Sequence, residues 1–528
     1  MVKNRVRFDY WWLVGILLVG GLVALAIIIN NNYAHNGDNA SNISGSIDID
    51  NGDTKINWER YPSYEAELSE TYTITSSGTY NLTGEIKDGA IIVKADAEAV
   101  IRIVLNNVKI KNSNGPAIAC YMADDLVINL QGDNYLEDGT SYTSDWDDDV
   151  TGVIYAKSDL SFDGEGTLTL KGNYADGIVG KDDLTFRNGT YEITANDDGI
   201  RGKDSIHIEN GDFTIRATGD GFKSTNETDS TKGFILVENG SFDIVAKAKG
   251  LKATNSIIVY GGNFELTTTD DAIHTNNYVG IIDGIFKIVA SDDGIHADAR
   301  LIVDGGTIDI TKSYEGLEAQ KISINSGKLL IVANDDGINA GGGTDNSAKN
   351  RPGAGAFDAD ENCEISINGG EVYINAAGDG IDSNGWLYFN NGKVVVDGPT
   401  NNGNGALDAG AGIIQSGGTV IAIGASGMAE SLGTTSSVYN VSIYLTSTLP
   451  KGTKIEIKDA SDELVVSHTS AKSFNHLAIG TTKFKKDQTY TLYLNDSKYE
   501  SFTISNTTTT VGSGVNNFQN MGPGPRRM

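Results

Sequence analysis

Residues 293–314 read DGIHADARLIVDGGTIDITKSY, and this stretch decides the fold. It contains three short runs whose core-facing apolar residues are spaced two apart, Ile295 and Ala297, Leu301 and Val303, and Ile308 and Ile310, with Gly305-Gly306 between the last two. Alternation with a period of two is typical of β-strands, whereas an amphipathic helix repeats about every 3.6 residues. Three short strands in a repeat of this length predict one coil of a parallel β-helix.

The opening Asp-Gly phrase recurs along the chain at a nearly constant step. The glycine, or the alanine that replaces it, stands at positions 177, 199, 221, 250, 272, 294, 316 and 337, so the steps are 21 or 22 residues with one of 29. Such a period indicates a solenoid, in which each repeat packs on its neighbours. We therefore predict an all-β fold, a right-handed parallel β-helix with coils of about 22 residues.

The N-terminus carries a second signal. Residues 11–29 contain no charged side chain, and a segment of this length can cross a bilayer as one helix. Three basic residues precede it. We expect residues 1–10 in the cytoplasm, a transmembrane helix over 11–30, and the bulk of the chain outside the cell membrane. A cleaved signal peptide is the alternative.

The rest of the chain divides into four parts by its pattern. We expect a flexible linker at 31–60, the parallel β-helix at 61–430, a small antiparallel β domain at 431–511 and a disordered tail at 512–528. The formal net charge of -30 excludes nucleic acid as a partner, because phosphates demand a basic surface. The cysteines, Cys120 and Cys363, predict two free thiols, with one long-range disulfide as the alternative. The sequence leaves the oligomeric state open.

The acids that precede the repeated glycines form what we call the corner column. Equivalent residues of a parallel stack lie about 4.8 Å apart, and two carboxylates at that distance repel by roughly 0.9 kcal/mol even in water. A bridging cation relieves this repulsion, and dense oxygen ligands favour calcium. The alternative is that each Asp is a turn residue bonded to nearby backbone amides. The candidate metal ligands are Asp176, Asp197, Asp198, Asp220, Asp270, Asp271, Asp292, Asp293, Asp335, Asp336, Asp379 and Asp382.

The residues three positions after the corner column are expected to point outward beside it, and we call them the flanking row. A lysine there, beside calcium, fits a base that removes the C5 proton of a uronate, although charge compensation of the acids is the simpler interpretation. The two histidines fit a transition-metal pair. The flanking row comprises Val179, Arg201, Lys223, Lys252, His274, His296, Glu318, Asn339 and Asp382.

Sugars stack on flat apolar surfaces, and several aromatic residues lie outside the repeated core pattern. Trp146 and Tyr142 fall in an acidic insertion, and Trp386 and Tyr388 follow a late copy of the repeat. Each is equally consistent with local packing. The candidate carbohydrate-binding residues are Trp146, Tyr142, Trp386, Lys223, Lys252, His274 and His296.

An ordered set of phrases over about residues 60–511 resembles the clostridial-type secreted carbohydrate-binding β-helix proteins, which are similar in fold to family-nine polysaccharide lyases. The matching phrases include Lys157-Ser158-Asp159-Leu160, Lys181-Asp182-Asp183-Leu184, Gly202-Lys203-Asp204, Asp335-Asp336-Gly337-Ile338-Asn339-Ala340 and Gly378-Asp379-Gly380-Ile381-Asp382-Ser383-Asn384-Gly385. The resemblance implies binding of plant cell-wall polysaccharide, polygalacturonate or cellulose, with calcium held by the Asp corners and with no demonstrated catalysis as a class. Lys249 departs from the pattern, because it replaces an acid of the corner column.

Three functions are consistent with these observations. The first is a membrane-anchored, extracellular, calcium-dependent carbohydrate-binding protein that recognises cell-wall polysaccharide. The second is a calcium-dependent lyase of pectate-like uronans, with Lys223 or Lys252 as the base. The third is an adhesin or spacer that calcium stiffens.

Overall fold

A computed structural model of the protein describes residues 52–341, 360 and 362–512. The predicted membrane segment at 11–30 lies outside these residues. Within the described ranges, no helix has the length and apolar character needed to cross a membrane. Residues 52–60, which the sequence assigned to the linker, contain two short 3-10 helices, Gly52–Lys55 and Trp58–Arg60.

The described part of the chain is built almost entirely of strands. The first group comprises β1 (Ser63–Leu68), β2 (Tyr72–Ile74), β3 (Gly78–Ile86), β4 (Ile91–Lys94), β5 (Val100–Lys111), β6 (Ile118–Met122), β7 (Asp125–Gln131), β8 (Asp133–Glu137), β9 (Gly152–Ala156), β10 (Asp159–Gly164), β11 (Thr167–Gly172), β12 (Asp176–Gly180), β13 (Asp183–Phe186), β14 (Thr190–Ala195), β15 (Ile200–Gly202) and β16 (Ser205–Ile208). The middle group comprises β17 (Asp212–Ala217), β18 (Phe222–Ser224), β19 (Phe234–Val237), β20 (Ser241–Ala246), β21 (Leu251–Ala253), β22 (Ser256–Val259), β23 (Asn263–Thr268), β24 (Ile273–Thr275), β25 (Tyr278–Ile281), β26 (Ile285–Val289), β27 (Ile295–Val303), β28 (Thr307–Ser313), β29 (Leu317–Ile324), β30 (Lys328–Ala333) and β31 (Ile338–Ala340). The last group comprises β32 (Glu364–Ile367), β33 (Glu371–Ala376), β34 (Ile381–Ser383), β35 (Trp386–Phe389), β36 (Lys393–Asp397), β37 (Leu407–Ala409), β38 (Gly412–Gln415), β39 (Thr419–Gly424), β40 (Asn440–Leu449), β41 (Lys454–Asp459), β42 (Leu464–Thr469), β43 (Phe474–Thr481), β44 (Thr489–Leu494), β45 (Ser497–Thr503) and β46 (Thr508–Val511).

These strands form a parallel β-solenoid, which confirms the predicted β-helix; its right-handed sense stays a prediction. Each strand pairs in parallel with the equivalent strand of the next coil, as β12 does with β15, β15 with β18 and β18 with β21. Two further faces follow the same rule, through β13, β16 and β19 and through β14, β17 and β20. The regular coils therefore contribute one strand to each of three faces, whereas β27 and β29 are longer and each span two faces.

The alternation read from the sequence decides which side chains enter the core. Ile200, Phe222 and Leu251 are fully buried on the face that follows the corner column. The glycine of each Asp-Gly phrase permits the coils to approach at this corner. A side chain on Gly199 would lie 2.7 Å from the carbonyl oxygen of Gly221 in the next coil, so the close contact favours glycine at this corner, although Ala272 occupies the equivalent position of one coil.

Aromatic side chains form a ladder through the middle coils. The rings of Phe242 and Phe264 are stacked with their centroids 4.4 Å apart, and those of Phe264 and Phe286 are 4.5 Å apart, both with 3° between the planes. The rings are buried, so each contributes its full apolar area as well as ring stacking. Cys120 and Cys363 are free and buried, which confirms the prediction of two thiols.

The parallel stacking ends at β39, where β43 pairs antiparallel with it. Strand β40 continues the sheet beyond β43, and β41, β42, β44 and β45 form a separate four-stranded antiparallel sheet. A second apolar cluster fills this region, with Ile443, Ile457 and Leu492 fully buried. The added strand covers the open edge of the solenoid face. The domain boundary near residue 430 stays a prediction.

We expect His476 to make the stability of this C-terminal part depend on pH. Its ring is buried, contacts the Ser442 hydroxyl at 2.8 Å, and burial lowers its pKa to about 4. The unfolded chain binds a proton below pH about 6.5, but the folded chain does not until about 4. The contribution of His476 to the free energy of unfolding is therefore complete above pH 6.5. It is lost as the pH falls towards 4, and the total loss is about 3 kcal/mol.

This dependence is measured as the difference between two proteins, because other groups also titrate. Urea unfolding of the native chain and of His476→Gln, followed from pH 7 to pH 4, should show a smaller pH slope for the variant. Equal slopes would contradict the prediction.

Candidate carbohydrate and cation sites

The corner column is held together by hydrogen bonds between coils. In each bond, the backbone N–H of one column residue donates to the carboxylate of the column residue one coil earlier. The donor–acceptor distances are 3.1 Å for Asp198 to Asp176, 2.9 Å for Asp220 to Asp198 and 3.0 Å for Asp293 to Asp271. One oxygen of each of these carboxylates thus accepts a hydrogen bond from a backbone N–H, as expected if the Asp residues bond to nearby backbone amides. The second oxygen is left for another partner.

Cations of the flanking row bind that second oxygen in the early coils. The Arg201 guanidinium lies 2.9 Å from Asp176 Oδ2, and Lys223 Nζ lies 3.0 Å from Asp198 Oδ2 and 3.1 Å from Asp220 Oδ2. Although burial lowers the pKa of Lys223, these two carboxylates outweigh it and raise the pKa above its ordinary value. In these coils, protein cations compensate the acids.

Lys249, the residue that interrupts the column of acids, is also paired. Its Nζ atom lies 2.7 Å from Asp271 Oδ2 and 2.9 Å from Asp270 Oδ1, and its side chain is only 6% exposed. Burial raises the pKa of the Asp271 carboxyl, but His274 and Lys249 outweigh it and hold the pKa well below its usual range. A buried lysine therefore replaces the carboxylate at this coil and supplies the positive charge that its neighbours need.

Two histidines of the flanking row are stacked, with ring centroids 4.8 Å apart. His274 Nδ1 lies 2.9 Å from Asp271 Oδ2, and His296 Nδ1 lies 3.2 Å from Asp293 Oδ2 and 2.9 Å from Glu318 Oε2. Burial lowers the pKa of His296, but hydrogen bonds to the surrounding carboxylates raise it to about 12. In this cluster, imidazole nitrogens and carboxylate oxygens that could bind a metal ion converge.

The column changes character after Glu315. We call Asp335, Asp336, Asp379, Asp382, Asp408 and Glu430 the acidic end. Within the described residues, no lysine, arginine or histidine forms an ion pair with Asp336, Asp379 or Glu430. Burial and the neighbouring acids raise the pKa of Asp336 and of Glu430 to about 8, and burial raises that of Asp379 to about 6. Asp336, Asp379 and Glu430 are therefore acids at this end of the column whose negative charge has no ion pair with a protein cation among the described residues.

A buried oxygen at the acidic end supports a cation there. Asn339 is 5% exposed; its Nδ2 donates to Glu315 Oε2 at 2.9 Å, whereas its Oδ1 has no hydrogen-bond partner. Asn339 pairs in register with Asp382 of the next coil. Amide and carboxylate oxygens are the ligands that calcium prefers, so these residues fit that ion.

The other predicted ligands are placed beside the paired coils. Asp197 is exposed and lies next to Asp176 and Asp198, and Asp292 is half-buried next to Asp270 and Asp271. Lys252 pairs in register with Lys223 on one side and His274 on the other. The register thus brings the flanking row together in the order that the sequence predicted.

An aromatic surface adjoins the acidic end. Trp386 and Tyr388 both face outward on β35, with ring centroids 5.9 Å apart and 18° between the planes. Gly412, in the facing position of the next strand, lies against the Trp386 ring. Only Ser383, Asn384 and Gly385 separate Asp382 from Trp386. A flat, half-exposed apolar surface therefore lies across one corner from the carboxylates.

The other predicted aromatic residues are more engaged in packing. The Tyr142 hydroxyl donates to Asp138 Oδ2 at 2.8 Å. The exposed ring of Tyr174 stacks on the Tyr142 ring. Trp146 stacks at 6.5 Å on Tyr121 and packs over Gly115. Both are half-buried, so Tyr174 presents more surface to a ligand than Tyr142 does.

A family model of carbohydrate-binding domain-containing proteins matches residues 69–337. The chain belongs to this family. The matched segment covers the middle of the solenoid, including the corner column from Asp176 to Asp336, while the aromatic surface at Trp386 lies beyond it.

Two known proteins are similar to parts of the chain. A carbohydrate-binding domain-containing protein of Acetivibrio thermocellus is 28% identical over 163 residues, which is 30% of this chain and 56% of the relative. The chain thus spans about half the length of the curated relative that it matches. A solved structure of a polysaccharide lyase-like protein from C. thermocellum, a gadolinium derivative, is 23% identical, with a TM-score of 0.35 over 48% of this chain and 96% of that one.

Three site residues of this family member were not found from its sequence. Asp408 pairs in register with Asp382 of the flanking row, and the Asn404-Gly405-Ala406 phrase, which begins four positions earlier, gave the signal for it. Asp298 contacts His296 Nε2 at 3.1 Å, two positions further along the chain. Glu430 follows the last regular coil, where no period remained to predict its position.

Proposed function

We propose that this protein is a membrane-anchored, extracellular polysaccharide-binding protein that uses calcium to recognise polygalacturonate or cellulose. Membership of the carbohydrate-binding domain-containing family supports polysaccharide binding. The observation that carries the finer proposal is the aromatic surface of Trp386 and Tyr388 beside the acidic end. A sugar ring would stack on the aromatic surface while calcium joins the acidic end to a sugar oxygen.

Net charge supports the calcium requirement for an anionic polymer. The chain has a formal net charge of -30 and would repel polygalacturonate. Asp336, Asp379, Asp408, Glu430 and Asn339 Oδ1 would hold the calcium, which supplies the positive charge that bridges protein and uronate. Cellulose carries no charge, so its binding would depend mainly on the aromatic surface.

A lyase function is the second candidate, and the ion pairs of Lys223 disfavour it. A general base must be unprotonated near neutral pH, whereas Asp198 and Asp220 raise the pKa of Lys223. The alternative base, Lys252, is half-buried between Lys223 and His274. Ultraviolet absorbance of an unsaturated product, formed from polygalacturonate and calcium, would establish the lyase.

The proposal is tested by measuring the affinity of the full chain, purified in detergent, for polygalacturonate and for cellulose. We expect excess chelator to lower the affinity for polygalacturonate at least about tenfold, because the bridging ion is removed. Unchanged binding in chelator would contradict the calcium mechanism. Binding of neither polymer, together with a calcium-dependent rise in melting temperature, would favour the spacer function instead.

Two variants locate the site. Trp386→Ala should weaken binding of both polymers, by about 1–3 kcal/mol if stacking on one ring is lost. Trp146→Ala is the matched control at the other aromatic surface and should leave both affinities unchanged. The opposite result would move the sugar site to the acidic insertion.

A further inference from the structure

We propose that Asp293, His296 and Glu318 form a binding site for a divalent first-row transition-metal ion, for which Zn²⁺ is the best fit. This site lies in the middle of the solenoid and is separate from the acidic end and from the aromatic surface. It does not depend on polysaccharide binding. Its ligands would be His296 Nδ1, Asp293 Oδ2 and Glu318 Oε2.

The three donor atoms already converge. His296 Nδ1 is 3.2 Å from Asp293 Oδ2 and 2.9 Å from Glu318 Oε2, and all three atoms lie within 4.8 Å of one another. Ligands around tetrahedral Zn²⁺ lie about 3.3 Å apart, because each bond is about 2.0–2.1 Å long. The two distances from His296 Nδ1 differ from this spacing by only a few tenths of an ångström. Three protein ligands leave a fourth position for water.

One buried carboxylate oxygen at this position accepts no hydrogen bond, although it has an ion-pair contact with His296. Glu318 is 2% exposed, and its Oε2 atom has no hydrogen-bond partner although it lies 2.9 Å from His296 Nδ1. One imidazole N–H cannot donate well to two oxygens at once, and Asp293 Oδ2 accepts from it. A buried carboxylate oxygen left in this way is costly unless a cation binds it.

The second nitrogen of His296 has the partner that a metal ligand usually has. His296 Nε2 lies 3.1 Å from Asp298 Oδ1. Metal-bound histidines generally donate their other N–H to a carboxylate, which fixes the ring and makes the ligating nitrogen more basic. Asp298 would therefore orient His296, with Nδ1 directed at Asp293 and Glu318.

Charge also favours a divalent ion. His296 is fully buried, and Asp293 and Glu318 are nearly so, with side chains 6% and 3% exposed. A protonated imidazole supplies one positive charge to the three surrounding carboxylates, whereas Zn²⁺ in place of that proton supplies two. The nitrogen ligand and the small number of donors favour zinc over calcium, which takes six to eight oxygens.

The site is tested on the full, tag-free chain in detergent after treatment with a chelator. Calorimetric titration with ZnCl₂ should show binding of about one ion at this site, and Co²⁺ should give the visible absorption of a nitrogen- and oxygen-ligated ion. His296→Gln and Glu318→Gln should each abolish or strongly weaken it, and Asp298→Asn should weaken it about 10- to 100-fold.

A histidine elsewhere in the solenoid provides the control. His207 is also buried and contacts one carboxylate, Glu238, at 2.9 Å, so His207→Gln should leave zinc affinity unchanged. Circular dichroism of each variant checks that the solenoid is folded. Absence of zinc binding, zinc binding that persists in Glu318→Gln, or displacement of zinc by an equal concentration of calcium would each overturn the proposal. A proton shared within the cluster would then account for its geometry.

Discussion

Lys249→Met is expected to destabilise the solenoid by about 3–5 kcal/mol. The Lys249 ammonium is buried between Asp270 and Asp271, and the Asp271 side chain is completely buried. Methionine preserves most of the side-chain volume but removes the charge. The loss would leave the Asp271 carboxylate in a dry environment with His274 as its remaining charge partner. Urea unfolding of both proteins measures the change in the free energy of unfolding.

Two further variants show whether charge is the cause. Adding Asp271→Asn to Lys249→Met should recover part of the loss, because an amide oxygen still accepts the Asp293 backbone N–H and no carboxylate is orphaned. Lys287→Met removes a lysine of an exposed pair with Glu265 and should leave stability nearly unchanged. If Lys249→Met and Lys287→Met unfold at the same urea concentration, the prediction is wrong.

Phe264→Ala should destabilise the middle coils by about 3–5 kcal/mol, because it opens a cavity in the aromatic ladder. Phe264 is fully buried and stacks on both Phe242 and Phe286. In a solenoid each coil contacts mainly its neighbours, so the effect should be greatest near the substitution. Hydrogen exchange should therefore increase most in β20, β23 and β26.

Thr267→Ala is the matched control, because Thr267 lies on the same strand but faces solvent. The free energy of opening that hydrogen exchange measures in these three strands should then stay within about 0.5 kcal/mol of its value in the native protein. Equal protection of β23 in Phe264→Ala and Thr267→Ala would show that the ladder contributes little.

The period of the sequence predicted most of the fold and the order of the flanking row. A constant repeat length places equivalent residues of successive coils side by side whatever their type. The pairing of the Arg201 and Lys223 positions could therefore be predicted from the repeat length alone. The same argument could not show which oxygen of Asp198 faces an amide and which faces Lys223. That choice depends on side-chain torsions and on the backbone direction at the corner.

The acidic end was harder to predict for a physical reason. Glu430 follows β39, beyond the last copy of the repeat, so its place beside Asp379 and Asp408 is set by tertiary packing rather than by the period. The role of Asn339 as a candidate ligand could not be predicted for a different reason. Its unpartnered oxygen results from the bond that its Nδ2 makes with Glu315, and residue types alone do not reveal how an amide is oriented.

The one long repeat step has a practical use. The extra residues between β18 and β19 form an exposed loop. The register is kept on both sides of this loop, where Arg201 pairs with Lys223 and Ser205 pairs with Phe234. Asp229 and Ser230 at its tip are exposed. A fluorophore or epitope grafted between them would label the molecule while the coils on both sides keep their alignment.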